Sequence, residues 1–152
     1  MKANTCTFAV GLSVLFAVSA APQDRPAILA PPAGVTIANR LNFRVEVSVP
    51  QFHQDVSAGF HYWVSVALGH GTPTSHWPKF YVKDKTYVAN ASDGGTNPYP
   101  QKEPATILLL RVDGARNQAF LRWLNAGKAP KTWEGLGVVP SEVVARTEVY
   151  FP

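Results

Sequence analysis

The sequence predicts a mainly β protein: an antiparallel β-sandwich, immunoglobulin-like or an open barrel, with one short helix near the C-terminus. Three observations predict it. Residues 41–49 alternate apolar and polar without a break, residues 60–68 carry a second apolar row at every other position, and an apolar stretch at 105–112 is followed by a helical stripe. Period-two alternation places one face of a strand on a core and the other in water.

In the first run Leu41, Phe43, Val45, Val47 and Val49 alternate with Asn42, Arg44, Glu46 and Ser48, and Pro50 ends it. In the second, Phe60, Tyr62, Val64, Val66 and Leu68 share one face, while His61, Trp63, Ser65 and Ala67 share the other. Gly69, Gly71 and Pro73 break that pattern, so residues 69–78 are expected to be a loop. Two shorter strands, 79–82 and 86–90, are expected to form a hairpin turning at Lys83, Asp84 and Lys85. Residues 90–104 are rich in Gly, Pro, Asn and Ser and read as a long loop.

Residues 105–112 carry Ile107, Leu108, Leu109 and Leu110, apolar on both faces, which calls for cover on both sides. The cover is at hand in a helix over 115–126. Phe120, Trp123 and Leu124 form its apolar stripe, Asp113 is its N-cap, and Gly127 and Pro130 stop it. Trp133 anchors the turn that follows. A last strand covers 142–151, with Val143, Ala145, Val149 and Phe151 on one face and Arg146 and Glu148 on the other.

Ahead of this domain, at residues 35–152, lie two other segments. Residues 1–20 have the three parts of a secretory signal peptide: Lys2, an apolar run at 8–18, and small residues at Val18-Ser19-Ala20. The run is too short to span a bilayer. Residues 21–34, rich in Pro and Ala, read as an extended spacer. The expected location is therefore outside the cytoplasm, periplasmic or extracellular, with no membrane span after cleavage.

The single cysteine, Cys6, precedes the apolar run, so it is not a lipoprotein cysteine and leaves with the signal peptide. The mature domain must fold without a disulfide. Its 13 Lys and Arg against 10 Asp and Glu leave a net charge of +3, spread thinly, which does not indicate a nucleic-acid partner.

Three site readings arise from residues 61–82, HYWVSVALGHGTPTSHWPKFYV. The first is a Zn or Cu site built from His61, His70 and His76, with Asp55, Asp84 or Asp93 to complete it. Imidazole suits either metal, but three or four ligands must converge, and no short ligand pair forces them to do so. Ordinary surface and loop histidines are the simpler account.

The second is an aromatic platform of Trp63, Trp77 and Tyr81 for a sugar or peptide, since ring faces supply contact area at small entropic cost. The simpler account is that the helix at 115–126 covers that face and makes Trp63 and Trp123 part of a second core. The third is a polyanion-attracting row of Lys79, Tyr81 and Lys83, whose plainer purpose is to block edge-to-edge aggregation.

No nucleophile elbow, phosphate-binding glycine loop or paired carboxylates stand out, and no catalysis is expected. The sequence thus points to a small exported binding or accessory module with a protein or glycan partner in the cell envelope and no cofactor of its own. A periplasmic protein holding Zn or Cu on the loop histidines is the alternative, and an enzyme of unidentified type comes third.

Overall fold

The alternation at 41–49 becomes strand β2 (Phe43–Ser48), with Phe43, Val45 and Val47 buried and Arg44 exposed. Pro50 ends the strand, and the chain enters a short helix, α1 (Phe52–Ser57). Phe52 is buried and Val56, one turn on, packs against the same core. This helix was not expected; its one apolar pair is too short to declare a period. The computed structural model describes residues 24–93, 102–126 and 134–152. The proposed signal peptide, the glycines at 94 and 95, the helix stop at 127–130 and Trp133 lie outside the described residues.

The chain is mainly β, and its described residues form two antiparallel sheets and two α-helices. One sheet has three strands in the order β1-β2-β5, where β1 is Ala27–Ala30 and β5 is Thr86–Ala91. The other has five in the order β7-β4-β3-β6-β8: β3 is His61–Leu68, β4 Ser75–Tyr81, β6 Glu103–Val112, β7 Leu136–Gly137 and β8 Val143–Phe151. Inward residues of both sheets meet in one core: Val45 and Val47 from β2, Val64 and Val66 from β3, and Ile107 and Leu109 from β6.

β6 lies between β3 and β8 and is covered on both faces, as its doubly apolar sequence requires. The second cover is α2 (Gly114–Ala126), whose Phe120 closes a smaller core with Trp63, Ala67, Leu108, Leu110 and Val112. Asp113 caps the helix, its Oδ1 accepting the Arg116 backbone N–H at 2.8 Å. α2 falls between β6 and β7, so the expected placement of a single helix near the C-terminus is corrected: the described residues hold two α-helices, and β8 still follows the longer one.

Other departures have physical reasons. Part of the expected spacer is structured: β1 pairs with β2, Ile28 opposite Val47, because Ile28 can pack on the main core. The expected hairpin does not form. β4 pairs with β3 while β5 crosses to the other sheet and pairs with β2, where Tyr87 and Ala91 extend its apolar face. The loop after β3 is shorter than expected, since His76, Trp77 and Pro78 already belong to β4. In β8 a bulge at Val143 and Val144 turns Val143 onto the smaller core, while Ala145, Val149 and Phe151 face the main one. Among the described residues no helix is long and apolar enough to cross a membrane.

Candidate functional site

The three histidines of the proposed metal site are placed apart. His61 opens β3, with Nδ1 3.2 Å from the Tyr81 hydroxyl. His76 lies on β4 at the other end of β3, about 20 Å away at ~3.3 Å per residue. His70 leans the opposite way across the sheet, to β8, where its Nε2 lies 2.8 Å from the Val149 carbonyl and its ring meets Tyr150 edge-on at 4.8 Å. Among the described residues no three His, Cys, Asp or Glu side chains are grouped to hold a metal ion. The set His61, His70 and His76 is therefore not assembled, because the strand it spans holds its ends apart.

His76 is also not a loop residue. It is fully buried beside Phe120, and among the described residues neither ring nitrogen has a partner at full hydrogen-bond geometry, although the Gly137 backbone lies near. Burial first, and then the nearby Arg116 charge, push its pKa down to about 4. The Oγ of Ser65, on the same face of the sheet, is likewise buried without a partner among the described residues.

The aromatic platform is likewise divided. Trp63 is only 1% exposed; its Nε1 donates to Asn117 Oδ1 at 2.8 Å, and its ring stands edge-on to Phe120 and Tyr81 at 5.5 Å from each. It belongs to the smaller core, not to a surface. Tyr81 is half-buried, and burial raises its pKa. Trp77 alone of the three borders an opening.

That opening is a cleft of about 670 Å³. Trp77 and Lys79 on β4 form one side, Asn90 and Ala91 on β5 the other, and Trp123 and Leu124 of α2 close it from the sheet's outer face. It exists because β4 and β5 diverge into different sheets. Gly135 packs closely on its wall: a Cβ there would stand 3.1 Å from the Trp77 ring and 3.2 Å from the His76 carbonyl oxygen.

A partly buried charge cluster forms the floor. Arg40 donates to Asp93 from Nη2 at 2.7 Å and from Nε at 3.1 Å, and to Glu103 from Nη1, while its guanidinium lies over the Phe151 ring at 4.7 Å. Lys79 Nζ donates to the other Asp93 oxygen at 2.8 Å. Burial alone would lower the Arg40 pKa, but its bonds to Glu103 and Asp93 outweigh this and hold the pKa above its ordinary value. The two cations and two anions thus neutralise one another.

Sequence reasoning missed Arg40 and Glu103, and among site residues it raised Asp93 as one of three spare metal ligands. Arg40 sits among turn residues, 53 positions from Asp93 and 63 from Glu103, and no local pattern carries such a pairing. A second polar cluster ties α1 to the sheet: Asp55 accepts from the Tyr62 hydroxyl and, at 2.8 Å, from Arg111, which also lies 3.4 Å over the Phe60 ring.

Compared with known proteins, the chain matches no family model, no curated protein and no solved structure.

Proposed function

We propose that this chain is an exported, immunoglobulin-like β-sandwich that acts as a binding or accessory module without catalysis of its own, and that it takes its ligand in the cleft between β4 and β5. The cleft carries the reading. It is lined by two half-buried tryptophans and has a floor whose charges are already paired. Such a lining suits an uncharged ligand, a glycan or a protein segment of the cell envelope.

The sandwich reading is supported by the core shared between the two antiparallel sheets and by the path of the first strand. After β1 the chain leaves the three-stranded sheet, and Thr36 bridges in parallel to Tyr150 of β8 in the five-stranded one. Export is supported by Lys2, the apolar run and Val18-Ser19-Ala20. The absence of catalysis rests on the side chains that reach the cleft: its charged groups are held by one another, and neither Trp77 nor Trp123 is a proton donor or acceptor for chemistry.

Tryptophan fluorescence, titrated with neutral cell-wall oligosaccharides and with uncharged peptides, tests the reading. The expected result is saturable binding that disappears in Asn90→Arg, which fills the cleft mouth from an exposed position. Binding that survives this substitution, or no binding from either class, would remove the cleft as the site.

A further inference from the structure

Four described strands are sheet edges, and three of them are blocked. β1 has four residues between Pro26 and Pro31, and β7 has two. The outer side of β8 is taken by the segment at 34–37: Gly34 N–H donates to the Glu148 carbonyl at 2.7 Å, Tyr150 N–H to Val35 at 2.9 Å, and Ile37 N–H to Tyr150 at 2.8 Å. β5 differs. Its six residues include no proline and no charge, Val88 is 44% exposed, and no described strand borders its outer side. Natural edges of this length are ordinarily protected by charge, proline or cover.

The cleft lies at the end of this open edge. Asn90 and Ala91 belong to both, and across the gap β7 pairs only with Ser75 and His76, so β4 from Trp77 onward has no described strand on that side either. Backbone groups of an open edge alternate donor and acceptor, and the natural complement of such a row is another extended backbone. Its alternate side chains, ~6.8 Å apart, would then face the space between the sheets.

The occupant's charge follows from the floor. Asp93 uses one oxygen on Arg40 and the other on Lys79, and Arg40 also holds Glu103, so the floor offers no uncompensated charge to repay the desolvation of a charged side chain. Leu68, Leu124 and the two tryptophans offer apolar contact instead.

From this juxtaposition we infer that the ligand is an extended segment of a partner protein, uncharged over about six residues, that adds as a strand along β5 and lays an apolar side chain in the cleft. The inference rests on the cleft being the binding site and names the class of ligand it takes.

A displayed library of random twelve-residue peptides, selected against the protein, supplies the probe. Enriched peptides are synthesised with blocked ends, and their affinities are measured by fluorescence anisotropy. Bound peptide is expected to slow hydrogen exchange at amides of β5 at least tenfold. N-methylation of alternate peptide nitrogens is expected to weaken binding at least tenfold for one of the two sets and little for the other, and Asn90→Arg to weaken it similarly at an unchanged melting temperature.

The inference is overturned if nothing is enriched, if β5 exchange does not respond, or if both N-methylated sets bind equally well. Neutral oligosaccharides binding at the cleft in place of peptides would overturn it while leaving the cleft reading intact; no binder of either class would remove both. Protection of β5 that grows with protein concentration alone would assign the edge to a second copy of this chain and also overturn it.

Discussion

The imidazole of His76 lies 5.3 Å from the Phe120 ring, centroid to centroid, inside the smaller core, and among the described residues neither nitrogen has a well-formed hydrogen bond. A polar ring in this position is tolerated as the neutral form, and that makes stability depend on acid. The folded-state pKa is about 4, below the unfolded value of 6.5. The unfolded chain therefore binds the proton more readily between those two values. Stability is full above pH 6.5 and falls as pH drops towards 4, by about 3 kcal/mol in total. Arg116 and its partner Glu142 face the same region from α2 and the 3-10 turn Pro140–Glu142, so the comparison must isolate the histidine. His76→Leu is expected to abolish most of the slope between pH 6.5 and 4 and to match or exceed the parent at pH 7. Urea unfolding across that pH range measures both.

Phe120 is the main plug that α2 sets over β3 and β6. Truncating it to alanine removes a fully buried ring and leaves a cavity against Trp63 and His76. The expected loss is about 3–5 kcal/mol. Tryptophan emission should shift to the red as Trp63 loses its cover, and an unshifted spectrum would mean that the smaller core holds without the helix.

Asp55 joins α1 to the sheet through two partners. The hydrogen bond from Arg111 is the main cause that holds its pKa below the ordinary 3.8, with the Tyr62 hydroxyl adding to it. A lowered carboxylate pKa contributes stability above that ordinary value and loses it as pH falls through the folded one. Asp55→Ala strands a buried tyrosine hydroxyl and is expected to cost about 2–4 kcal/mol. In a double-mutant cycle with Tyr62→Phe the two losses should be clearly less than additive; full additivity would deny the pairing.

Asp93 holds Arg40 and Lys79 together at the cleft floor. Replacing it with alanine leaves two poorly hydrated cations near one another, while Arg40 keeps its bond to Glu103. A loss of about 3–5 kcal/mol is expected, partly recovered at high salt. A thermal melt at two salt concentrations is sufficient to see it.

Metal is expected to do little. With His61, His70 and His76 held apart by the sheet, saturating Zn²⁺ or Cu²⁺ should leave the melting temperature within experimental scatter. A rise lost in His70→Ala/His76→Ala would revive the metal reading, and would require the sheet to rearrange.

Much of the architecture was legible because burial leaves a local trace. The alternation of β2, the double apolar face of β6, the stripe of α2 and its Asp113 cap each follow from side-chain direction within a single element. The sequence by itself therefore determined the mainly β character, the strand that needed two covers and the helix that provides the second. It could not say which strand neighbours which, because period two encodes a face and carries no partner. The tertiary structure alone sent β4 and β5 into different sheets and opened the cleft between them. It drew His76 and Trp63 inside, and brought Arg40 to Asp93 and Glu103 across more than fifty residues. Those outcomes were decided by packing between distant segments, where each buried charge had to find its counter-charge and each apolar face its cover.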